Sequence, residues 1–526
     1  MSLAHPIPEH PLFVHYPALL HASLLVVGLL YGYSSERSCP TLLALLIALL
    51  LFGVCQTSWM RYRRSTPFLK HGVLCLTTLA FGSIWAQRDL MQLQSAPLPT
   101  SSFRGIVRNT PQRTASGFLR LTLQPLQIES AKTILVYLPI REEPPSLSYG
   151  DTLMLKSSRG ATPIKALKAP SYQHFLIAQG SYATLYPKYY TITPRKGMHS
   201  LSYWTNDLQR NLSNQLKQLG LPQEEQDLAC TISLGQRNAL GSVQETFRNA
   251  GAAHLLSVSG FHLVVVLSLF SLLIPCSNKQ RSRLLRWAIC LAVAWGFTLM
   301  TGFAAPTVRA ATMYTIYSFG ELLFRPQKKL NTLAISAIFL LIYHPGYIFD
   351  IGFQLSYTAL ISILLYQPFF VSYATKLYNP IIRYLYLSIT VCLSAQILSI
   401  PLVLYHFGTL STLFLWSNIP LMLLATLVIP CCLAYALLAG IGIPIAILGD
   451  CVRILTHLLY QTATLFNAPE GKYLQLQLNE MQAWGLSLLF VGIYGTLFYF
   501  KKKHRILKEE VGYIEKILTE RIKPKR

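Results

Sequence analysis

The sequence predicts a polytopic α-helical membrane protein of about twelve spans that carries a small extracytoplasmic β-barrel domain. Of its 526 residues, 52% are hydrophobic and only 13% are charged, whereas an ordinary soluble domain is about a quarter charged. The apolar residues fall in runs of roughly 18 or more with almost no charge, which is the length that crosses a bilayer as a helix. These observations exclude a disordered chain, a disulfide scaffold and a simple cytosolic enzyme.

Three apolar runs open the chain and predict an N-terminal transmembrane bundle over residues 1–87. The runs cover residues 17–33, 42–59 and 68–87. The loop between the second and third runs is rich in arginine and lysine, whereas the first loop carries only Arg37. Because cytoplasmic loops hold the excess of positive charge, we expect the N-terminus inside and the segment after the third run outside.

Residues 88–202 predict an extracytoplasmic domain built from short strands. Alternating apolar and polar stretches occupy residues 103–107, 118–123, 133–138, 152–156 and 182–186, with turn residues between them. This pattern favours a small β-barrel such as an OB-fold, and a generic β-sandwich is the alternative.

The chain is strongly basic. Lys and Arg total 45 against 21 Asp and Glu, which gives a formal net charge of +24. Cytoplasmic loops explain part of this excess, but residues 88–250 are basic as well and form too long a segment to act as a topology signal. Binding of an anionic ligand is the more specific explanation for the basic character of residues 88–250. The residues of the outer domain that we expect to contact this ligand are Arg104, Arg108, Arg120, Lys132 and Lys156.

The second half of the chain predicts surface helices followed by a larger membrane domain. Residues 203–253 read as two amphipathic helices with a break near Gly220 and Pro222. Residues 254–500 follow as a transmembrane domain, and residues 501–526 form a basic tail. Nine apolar runs begin in the transmembrane domain near residues 255, 284, 305, 331, 352, 386, 411, 431 and 482. Nine crossings from the outside put the tail in the cytoplasm, in agreement with its charge.

Residues 446–466 differ from the other apolar segments. They place Asp450, Arg453 and His457 on one helical face, with leucines opposite. This pattern predicts a helix that lies in the membrane interface instead of crossing the bilayer.

Polar side chains inside the apolar runs are functional candidates, because such groups are costly at membrane depth. The densest cluster is the string HLLSVSGFH, which contains His254, Ser259, Gly260 and His262. Ser259 and His262 share a face if the segment is helical, and Gly260 permits a bend or a close backbone approach. Small and polar residues also mediate helix packing, and this alternative stays open for the string.

Two further strings carry polar groups into the apolar runs. In TGFAAPTVRA, Gly302 and Pro306 predict a broken or re-entrant helix, with Arg309 just beyond. In FDIGFQLSY, Asp350 and Gln354 are four residues apart on one helical face. Asp350 has two alternative roles, as a cap of the helix N-terminus or as a partner of Arg309.

A fourth series runs from Gln396 to Pro420. Gln396 and Asn418 place amides in apolar surroundings, His406 lies between them, and Pro401 and Pro420 predict helix breaks. Discontinuous helices that carry amides recur at transport sites.

Taken in order, these strings resemble the ComEC-type competence proteins, the inner-membrane DNA internalisation channels of naturally transformable bacteria. The matching strings are AGAAHLLSVSGFH, TGFAAPTVRA, FDIGFQLSY and the series from Gln396 to Pro420. The resemblance covers roughly residues 205–500, and the layout before it resembles the family's short bundle and OB-like domain. It implies a channel in the bacterial cytoplasmic membrane, with both termini inside, that translocates single-stranded DNA during natural transformation.

The implied DNA path combines the polar groups of all four strings. Its residues are His254, Ser259, Gly260, His262, Arg309, Asp350, Gln354, Gln396, His406 and Asn418. The OB-like domain is expected to bind single strands through phosphate contacts and stacking. Six aromatic residues are available for stacking, although most are expected in the core: Tyr172, Phe175, Tyr182, Tyr186, Tyr189 and Tyr190.

The sequence departs from the family pattern in two places. Gly235-Gln236-Arg237 stands where many members have a Gly-Asp-Arg-like string, so no role is assigned there. Many members also continue into a metallo-β-lactamase-like domain, but no HxHxDH string occurs in this sequence. We therefore expect a protein that is not an enzyme and has no catalytic residue, metal or cofactor. Its partners would be single-stranded DNA, the lipid bilayer and separate receptor, nuclease and motor proteins.

Two other function classes compete with the channel. A secondary transporter of a small anionic solute would share the broken helices and buried polar groups, but no inverted repeat is apparent. An intramembrane serine protease would use Ser259 with His254 or His262 as its base. Its flanking sequence, SVSG, lacks the GxSG form expected of rhomboid-like enzymes.

Overall fold

A computed structural model describes most of the chain, in two units. It covers residues 17–34, 67–99, 102–139, 147–193, 201–236, 241–273, 280–323, 328–467 and 473–500. Within these ranges, residues 110, 115, 127–131, 148, 158 and 159 are not described. The first unit comprises Met1–Gln354 with Pro420–Ala468, and the second comprises Leu355–Ile419 with Pro469–Arg526. The predicted run at 42–59, the basic loop after it and the tail at 501–526 lie outside the described residues.

The first unit begins with two long helices in close contact, α1 (Pro17–Ser34) and α2 (Pro67–Ser95). Gly28 and Gly32, four residues apart on α1, allow this approach. A β-carbon on Gly28 would collide with the carbonyl oxygen of Leu79, and one on Gly32 with that of Ser83. Small residues at this spacing bring apolar helices together, because the backbones themselves come into contact.

The β-sheet region follows as a mixed sheet with one helix. Its strands are β1 (Ser102–Val107), β2 (Gln112–Arg113), β3 (Phe118–Pro125), β4 (Thr133–Pro139), β5 (Thr152–Lys156), β6 (Thr162–Pro163), β7 (Ser181–Leu185) and β8 (Tyr189–Thr193), and helix α3 (Pro170–Gln179) precedes β7. The strand order is β6-β7-β4-β3-β1-β5-β8, with β2 beside β3. Only β4 and β7 pair in parallel. Within the described residues β6 and β8 are not paired with each other, so a closed barrel is not confirmed.

The strand pattern of the sequence locates this sheet well. All five predicted strands are present, and their apolar side chains face one core; Leu119, Leu121 and Leu123 on β3 are examples. The order β5-β1-β3-β4 is that of a Greek key, in which a later strand returns to lie beside the first. No predicted element corresponds to β2, β6, β8 or α3.

Three helices, and not the predicted two, connect the sheet to the next membrane segment. They are α4 (Leu201–Lys217), α5 (Gln223–Leu234) and α6 (Gly241–Asn249). The break near Gly220 and Pro222 is confirmed, but a second break follows Gly235, which adopts φ +76° at the end of α5. Their apolar faces do not lie on a free surface. They pack into a core shared with helices later in the first unit.

The remaining helices are mostly apolar. They are α7 (Gly260–Leu273), α8 (Gln280–Met300), α9 (Ala305–Leu322), α10 (Lys329–Tyr343), α11 (Ile351–Ala374), α12 (Pro380–Phe407), α13 (Phe414–Gly440), α14 (Ala446–Leu465) and α15 (Glu480–Phe500). A two-stranded antiparallel sheet, β9 (Thr409–Ser411) with β10 (Tyr473–Gln475), joins parts of the second unit.

Six of the described helices are long and apolar enough to cross a membrane, namely α1, α8, α11, α12, α13 and α15. Two shorter apolar helices, α7 and α10, accompany them. The predicted count of twelve spans is therefore not confirmed. The predicted spans near residues 411 and 431 are one continuous helix, α13, which contains both Pro420 and Pro430. Prolines are tolerated inside such apolar helices when neighbouring groups satisfy the freed carbonyls.

We predict that Gly28→Ala destabilises the helix pair by about 1–3 kcal/mol, because the new methyl group overlaps the Leu79 carbonyl and pushes α1 from α2. Thermal unfolding of the purified protein in detergent measures this. Gly72→Ala in α2 is the matched control, since its β-carbon meets nothing within 4 Å. An equal loss in both variants would contradict the close approach.

Candidate functional site

The string HLLSVSGFH is not a continuous helix. A 3-10 turn spans Ala253–Leu256, the backbone is then extended, and α7 begins at Gly260. The backbone N–H of Ser259 donates to Nδ1 of His262 at 3.2 Å, and the Ser259 hydroxyl lies at the same distance from that nitrogen. The expected proximity of Ser259 and His262 is thus present, but as a cap at the start of the helix. His262 is buried and His254 is exposed.

The string TGFAAPTVRA forms a turn between two separate helices. The predicted break lies between α8 and α9, and Pro306 stands in the first turn of α9, where proline starts a helix well. Gly302 and Phe303 adopt positive φ angles of 67° and 55° and reverse the chain. Thr301 and Thr307 close the turn with a hydroxyl–hydroxyl hydrogen bond of 3.1 Å.

Gly260 brings the first two strings together. A β-carbon added to it would lie 3.7 Å from the β-carbon of Ala310, so the start of α7 packs directly on α9. The close backbone approach expected from Gly260 is therefore present. The alternative of a helix-packing interface also applies to this residue.

The Gly235-Gln236 segment lies beside both HLLSVSGFH and TGFAAPTVRA. No role was predicted for this segment from the sequence. A β-carbon on Gly235 would be 3.2 Å from Val258 and 4.0 Å from the carbonyl oxygen of Thr301. The side chain of Gln236 donates to the carbonyl of Gln209 on α4 at 3.3 Å. We call the segments 235–236, 257–260 and 301–307, with Gln209, the turn cluster.

Gln209 is the residue of the turn cluster that sequence reasoning missed. Its side chain is buried, and Nε2 donates to the carbonyl of Leu234 at 2.6 Å. A β-carbon added to Gly302 would lie 3.0 Å from Oε1 of Gln209. The side chain of Gln209 on α4 therefore packs against the turn between α8 and α9. Gln209 belongs to a polar amphipathic helix, where nothing in the sequence distinguishes it from solvent-facing glutamines.

Arg309 joins the string FDIGFQ to α9. Its guanidinium donates to the carbonyl of Gly352 at 3.0 Å and lies 3.6 Å from Oδ1 of Asp350. The same oxygen accepts the backbone N–H of Phe353 at 2.6 Å, so Asp350 fills both roles considered for it, as a cap and as an ion-pair partner. Gln354 donates to the carbonyl of Ile348 at 2.8 Å. Arg309 is buried, and its charge is matched within the protein.

A 3-10 turn, Pro345–Phe349, connects this ion pair to the β-sheet region. Phe349 stacks on His174 of α3 at 4.1 Å and meets Tyr33 of α1 edge-on. Gly346 is held so closely that a β-carbon would collide with the carbonyl of Ile177. The β-sheet region is therefore seated on the residues immediately before Asp350.

A buried carboxylate anchors the same contact from α2. Asp89 accepts the hydroxyl of Tyr33 at 2.8 Å and pairs with Lys132 of the sheet region at 2.7 Å. Burial lowers the pKa of the neighbouring His344, although Asp89 acts in the opposite direction. We therefore place a neutral imidazole beside this pair at neutral pH.

The second unit holds Gln396, His406 and Asn418 of the predicted path. The side-chain oxygens of Gln396 and Asn418 are buried and have no hydrogen-bond partner among the described residues. His406 lies in the last turn of α12, before Gly408, which ends the helix at φ +65°. Gln477 donates to the carbonyl of Tyr405 at 2.8 Å and closes over this end.

A serine hydroxyl contacts the backbone of α12 in the second unit. The hydroxyl of Ser362 donates to the carbonyl of Ser394 and accepts the N–H of Leu398 at 3.2 Å, the two groups that form one rung of the helix ladder. Pro401, one turn later, has no N–H for its rung. Gln396 lies between these backbone groups.

The five basic residues proposed to bind DNA in the outer domain differ in whether their side chains are exposed or are bonded within the protein. Arg104 and Lys156 are exposed on the same face of β1 and β5. Arg108 bonds Gln124, Arg120 bonds Gln112 and lies over the ring of Phe175, and Lys132 pairs with Asp89. Three of the five are thus engaged within the protein.

The aromatic residues of the sheet region divide in a similar way. Tyr182 is in the core, where burial raises its pKa to about 12. Tyr172, Phe175 and Tyr190 pack against the core, as expected for most of the set. Tyr186 and Tyr189 are 56% and 63% exposed, and Tyr189 lies directly opposite Lys156 in the register of β5 and β8.

Comparison with known proteins assigns the helical part of the chain. Residues 232–503, more than half of the 526, match the family described as Competence protein. The chain belongs to the ComEC-type competence protein family. The turn cluster apart from Gln209, the Arg309–Asp350 pair, Gln396, His406 and Asn418 lie inside the matched residues. The β-sheet region lies outside them.

Individual competence proteins align over shorter stretches. ComE operon protein 3 of Bacillus subtilis (strain 168) is 28% identical over 200 residues, which are 38% of this chain and 24% of that protein. Competence protein ComA of Neisseria gonorrhoeae is 30% identical over 95 residues, 17% of this chain and 14% of that protein. The alignments thus span a quarter or less of these relatives. An uncharacterized protein of Aquifex aeolicus (strain VF5) is 27% identical over 138 residues, 26% of this chain and 32% of that protein. No solved structure matches the chain.

We predict that Arg309 and Asp350 are energetically coupled. Arg309→Gln and Asp350→Asn each remove one charge, and asparagine keeps the capping oxygen. The loss in free energy of unfolding in the double variant should be smaller than the sum of the two single losses by about 0.5–3 kcal/mol. The reason is that each single variant leaves the other charge without its partner. SDS titration of the purified protein gives the free energies of unfolding. Additive effects would show that the pair contributes nothing.

Proposed function

We propose that this protein is a channel that passes single-stranded DNA across the bacterial cytoplasmic membrane during natural transformation. The observation that carries the proposal is the turn cluster, in which strings far apart in the sequence meet inside the region that defines the competence family. A DNA strand carries one charge per phosphate and needs a polar path through the bilayer. The description of the matched family, Competence protein, and the name of the Neisseria gonorrhoeae relative, Competence protein ComA, agree with this role.

The first-unit candidates divide into two roles under this proposal. His254, Ser259, Gln354 and the turn-cluster backbone supply polar groups toward the path. Arg309 and Asp350 act as positioning residues, because their charges face each other and fix the start of α11. Gln396, His406 and Asn418 remain predicted path residues of the second unit.

The sheet region is proposed as an OB-like domain that receives the strand outside the membrane. Its Greek-key order is that of OB-folds, which are partly open barrels. Arg104, Lys156 and Tyr189 supply two cations and a ring on neighbouring exposed strands, which is the composition of a sequence-independent single-strand surface.

The cytoplasmic position of the tail rests on its charge alone. Because α13 replaces two predicted spans, the count of crossings no longer places the tail. Its Lys and Arg residues still favour the cytoplasmic side. We propose that the protein itself is not an enzyme and works with a separate DNA receptor, nuclease and motor.

The serine protease alternative is weaker in this geometry. Nδ1 of His262 is occupied by the backbone N–H of Ser259, which suits a helix cap better than a general base. A transporter of a small anion stays the second candidate, favoured by Pro401, which removes a backbone hydrogen bond inside α12. Flux assays on reconstituted protein, with labelled single-stranded DNA and small anions, separate the two.

We predict that Ser259→Leu and Gln354→Leu reduce entry of labelled DNA into the cytoplasm by about tenfold or more, which corresponds to roughly 1.4 kcal/mol of added barrier. Leucine removes a polar group from the proposed path. Entry is scored as nuclease-protected label, and surface-bound label is scored separately.

Ser268→Leu is the matched control, because Ser268 is an exposed serine of the same helix α7 that bonds only its own backbone. All three variants are checked for membrane insertion and thermal stability. Normal DNA entry in stably inserted Ser259→Leu and Gln354→Leu proteins would remove these residues from the path.

We predict that the full-length protein in nanodiscs binds single-stranded DNA with strong salt dependence and no sequence preference. Replacing Arg104 and Lys156 by Gln should lower the slope of log affinity against log salt by about 0.7 for each lost phosphate contact. Lys165→Gln, after β6 at the opposite edge of the sheet, is the control for charge alone. Binding that is flat against salt, or equal losses in all variants, would leave the sheet region as a scaffold.

A further inference from the structure

A groove between three helices opens on the side of the first unit. It is formed where α1, α2 and α10 meet and has a volume of about 270 Å³. Leu25 of α1 is buried there, whereas Phe81 of α2 and Ile342 of α10 are 40% and 41% exposed. We call it the three-helix groove, and its lining residues are Leu25, Thr77, Thr78, Phe81, Ile338 and Ile342.

The three-helix groove suits an apolar occupant, because its polar side chains already have partners. The hydroxyls of Thr77 and Thr78 donate to the carbonyl of Leu74, about one turn earlier on α2, at 2.9 and 2.8 Å. The Thr78 hydroxyl also lies 3.1 Å from Nδ1 of His21 on α1, which is a candidate membrane span. A hydroxyl that is bonded to its own helix needs no water beside it. A hydrocarbon chain therefore meets no unsatisfied side chain in the groove.

The groove is too small for a helix and is bridged at one end. Nε1 of Trp85 on α2 donates to the carbonyl of Ile342 on α10 at 2.9 Å. The Trp85 ring stacks on Phe81, with the ring centroids 5.9 Å apart. A helix with its side chains is about 10–12 Å wide, and a single turn of about 5.4 Å already exceeds the volume of the groove. An extended acyl chain is narrow enough to enter.

A cation lies at the bridged end of the groove. The guanidinium of Arg88 is over the Trp85 ring, 5.6 Å from its centroid. Arg88 is exposed and forms no ion pair with another described residue. The adjacent Asp89 is engaged by Lys132 and Tyr33. Tryptophan and arginine beside an apolar surface are typical of the level at which hydrocarbon meets the lipid headgroups.

We propose that the three-helix groove binds one acyl chain of a membrane phospholipid, whose phosphate contacts Arg88. The apolar lining selects hydrocarbon and the guanidinium selects an anion, and a phospholipid carries both. The ten residues from Thr78 to Arg88 span about 15 Å of helix, which is half of the roughly 30 Å hydrocarbon core and therefore one leaflet. The bound lipid stabilises the contact of α2 with α10, next to the turn on which the β-sheet region is seated. This inference does not depend on DNA as the substrate.

Photolabelling of the full-length protein tests where the lipid binds. The probe is phosphatidylglycerol with a diazirine midway along one acyl chain, in vesicles of phosphatidylethanolamine and phosphatidylglycerol, and labelled residues are mapped by mass spectrometry. Thr77→Phe fills the groove. Leu76→Phe is the matched control, because Leu76 is the neighbouring residue of α2, is 49% exposed and does not line the groove. Both variants are checked for thermal stability.

A lipid titration in detergent tests the headgroup contact. Phosphatidylglycerol and a diacylglycerol with the same chains are added separately to the delipidated full-length protein, and bound lipid is counted by native mass spectrometry. Arg88→Gln removes the cation, and Arg113→Gln, which changes an exposed arginine of β2, is the control. The titration does not use Thr77→Phe, so the proposal is tested even if that variant fails to fold.

The expected labelling falls on the groove-lining residues in the wild-type protein and in Leu76→Phe, and most of it is lost in Thr77→Phe. The wild-type protein and Arg113→Gln should bind phosphatidylglycerol about fivefold more tightly than the diacylglycerol, which is the contribution of one cation near a headgroup. Arg88→Gln should bind the two lipids equally.

Two results would overturn the proposal. Groove labelling that is equal in all three proteins would show no specific lipid, and no groove labelling at all would show that protein covers the groove, for example the run predicted at 42–59. Equal affinities of the wild-type protein for the two lipids would reject the contact between the phosphate and Arg88.

Discussion

Backbone groups at helix ends inside an apolar bundle must find hydrogen-bond partners, and this constraint organises the first unit. Gln209 satisfies the carbonyl of Leu234 at the end of α5, and Asp350, paired with Arg309, satisfies the N–H of Phe353 at the start of α11. Gln209 and Arg309 come from parts of the chain remote from the helix ends that they reach. The polar residues of the family strings are therefore tied to one another by the same bonds that complete the helix ends.

Because of this constraint, several candidate residues have a structural role in addition to their proposed role in the path. Asp350 caps α11 and balances Arg309, and His262 accepts the first N–H before α7. A residue that is needed for folding can also shape a path, because it decides where turns and carbonyls lie. Loss of function after substitution at such a position has meaning only together with a stability measurement.

The sequence allowed good predictions where one periodic pattern dominated. Five strands of the sheet were located because short apolar stretches are separated by turn residues, and the Arg309–Asp350 pairing followed from two charges near helix ends. Helix α3 was missed because its residues, PSYQHFLIAQ, show no clear apolar face. Pro401 and Pro420 were read as helix breaks, although α12 continues through Pro401 and α13 through Pro420. Gln209 and the Ser362 insertion depend on which helices become neighbours, and a single sequence does not contain that information.

The Ser362 hydroxyl has a consequence for the mechanics of α12. A helix normally resists bending because each rung of its ladder must stretch, but here the two groups of the rung between Ser394 and Leu398 also bond a side chain. The rung at Pro401 is absent. The two features lie within about two turns of each other, so we expect any bend of α12 to concentrate there, between Pro380 and His406.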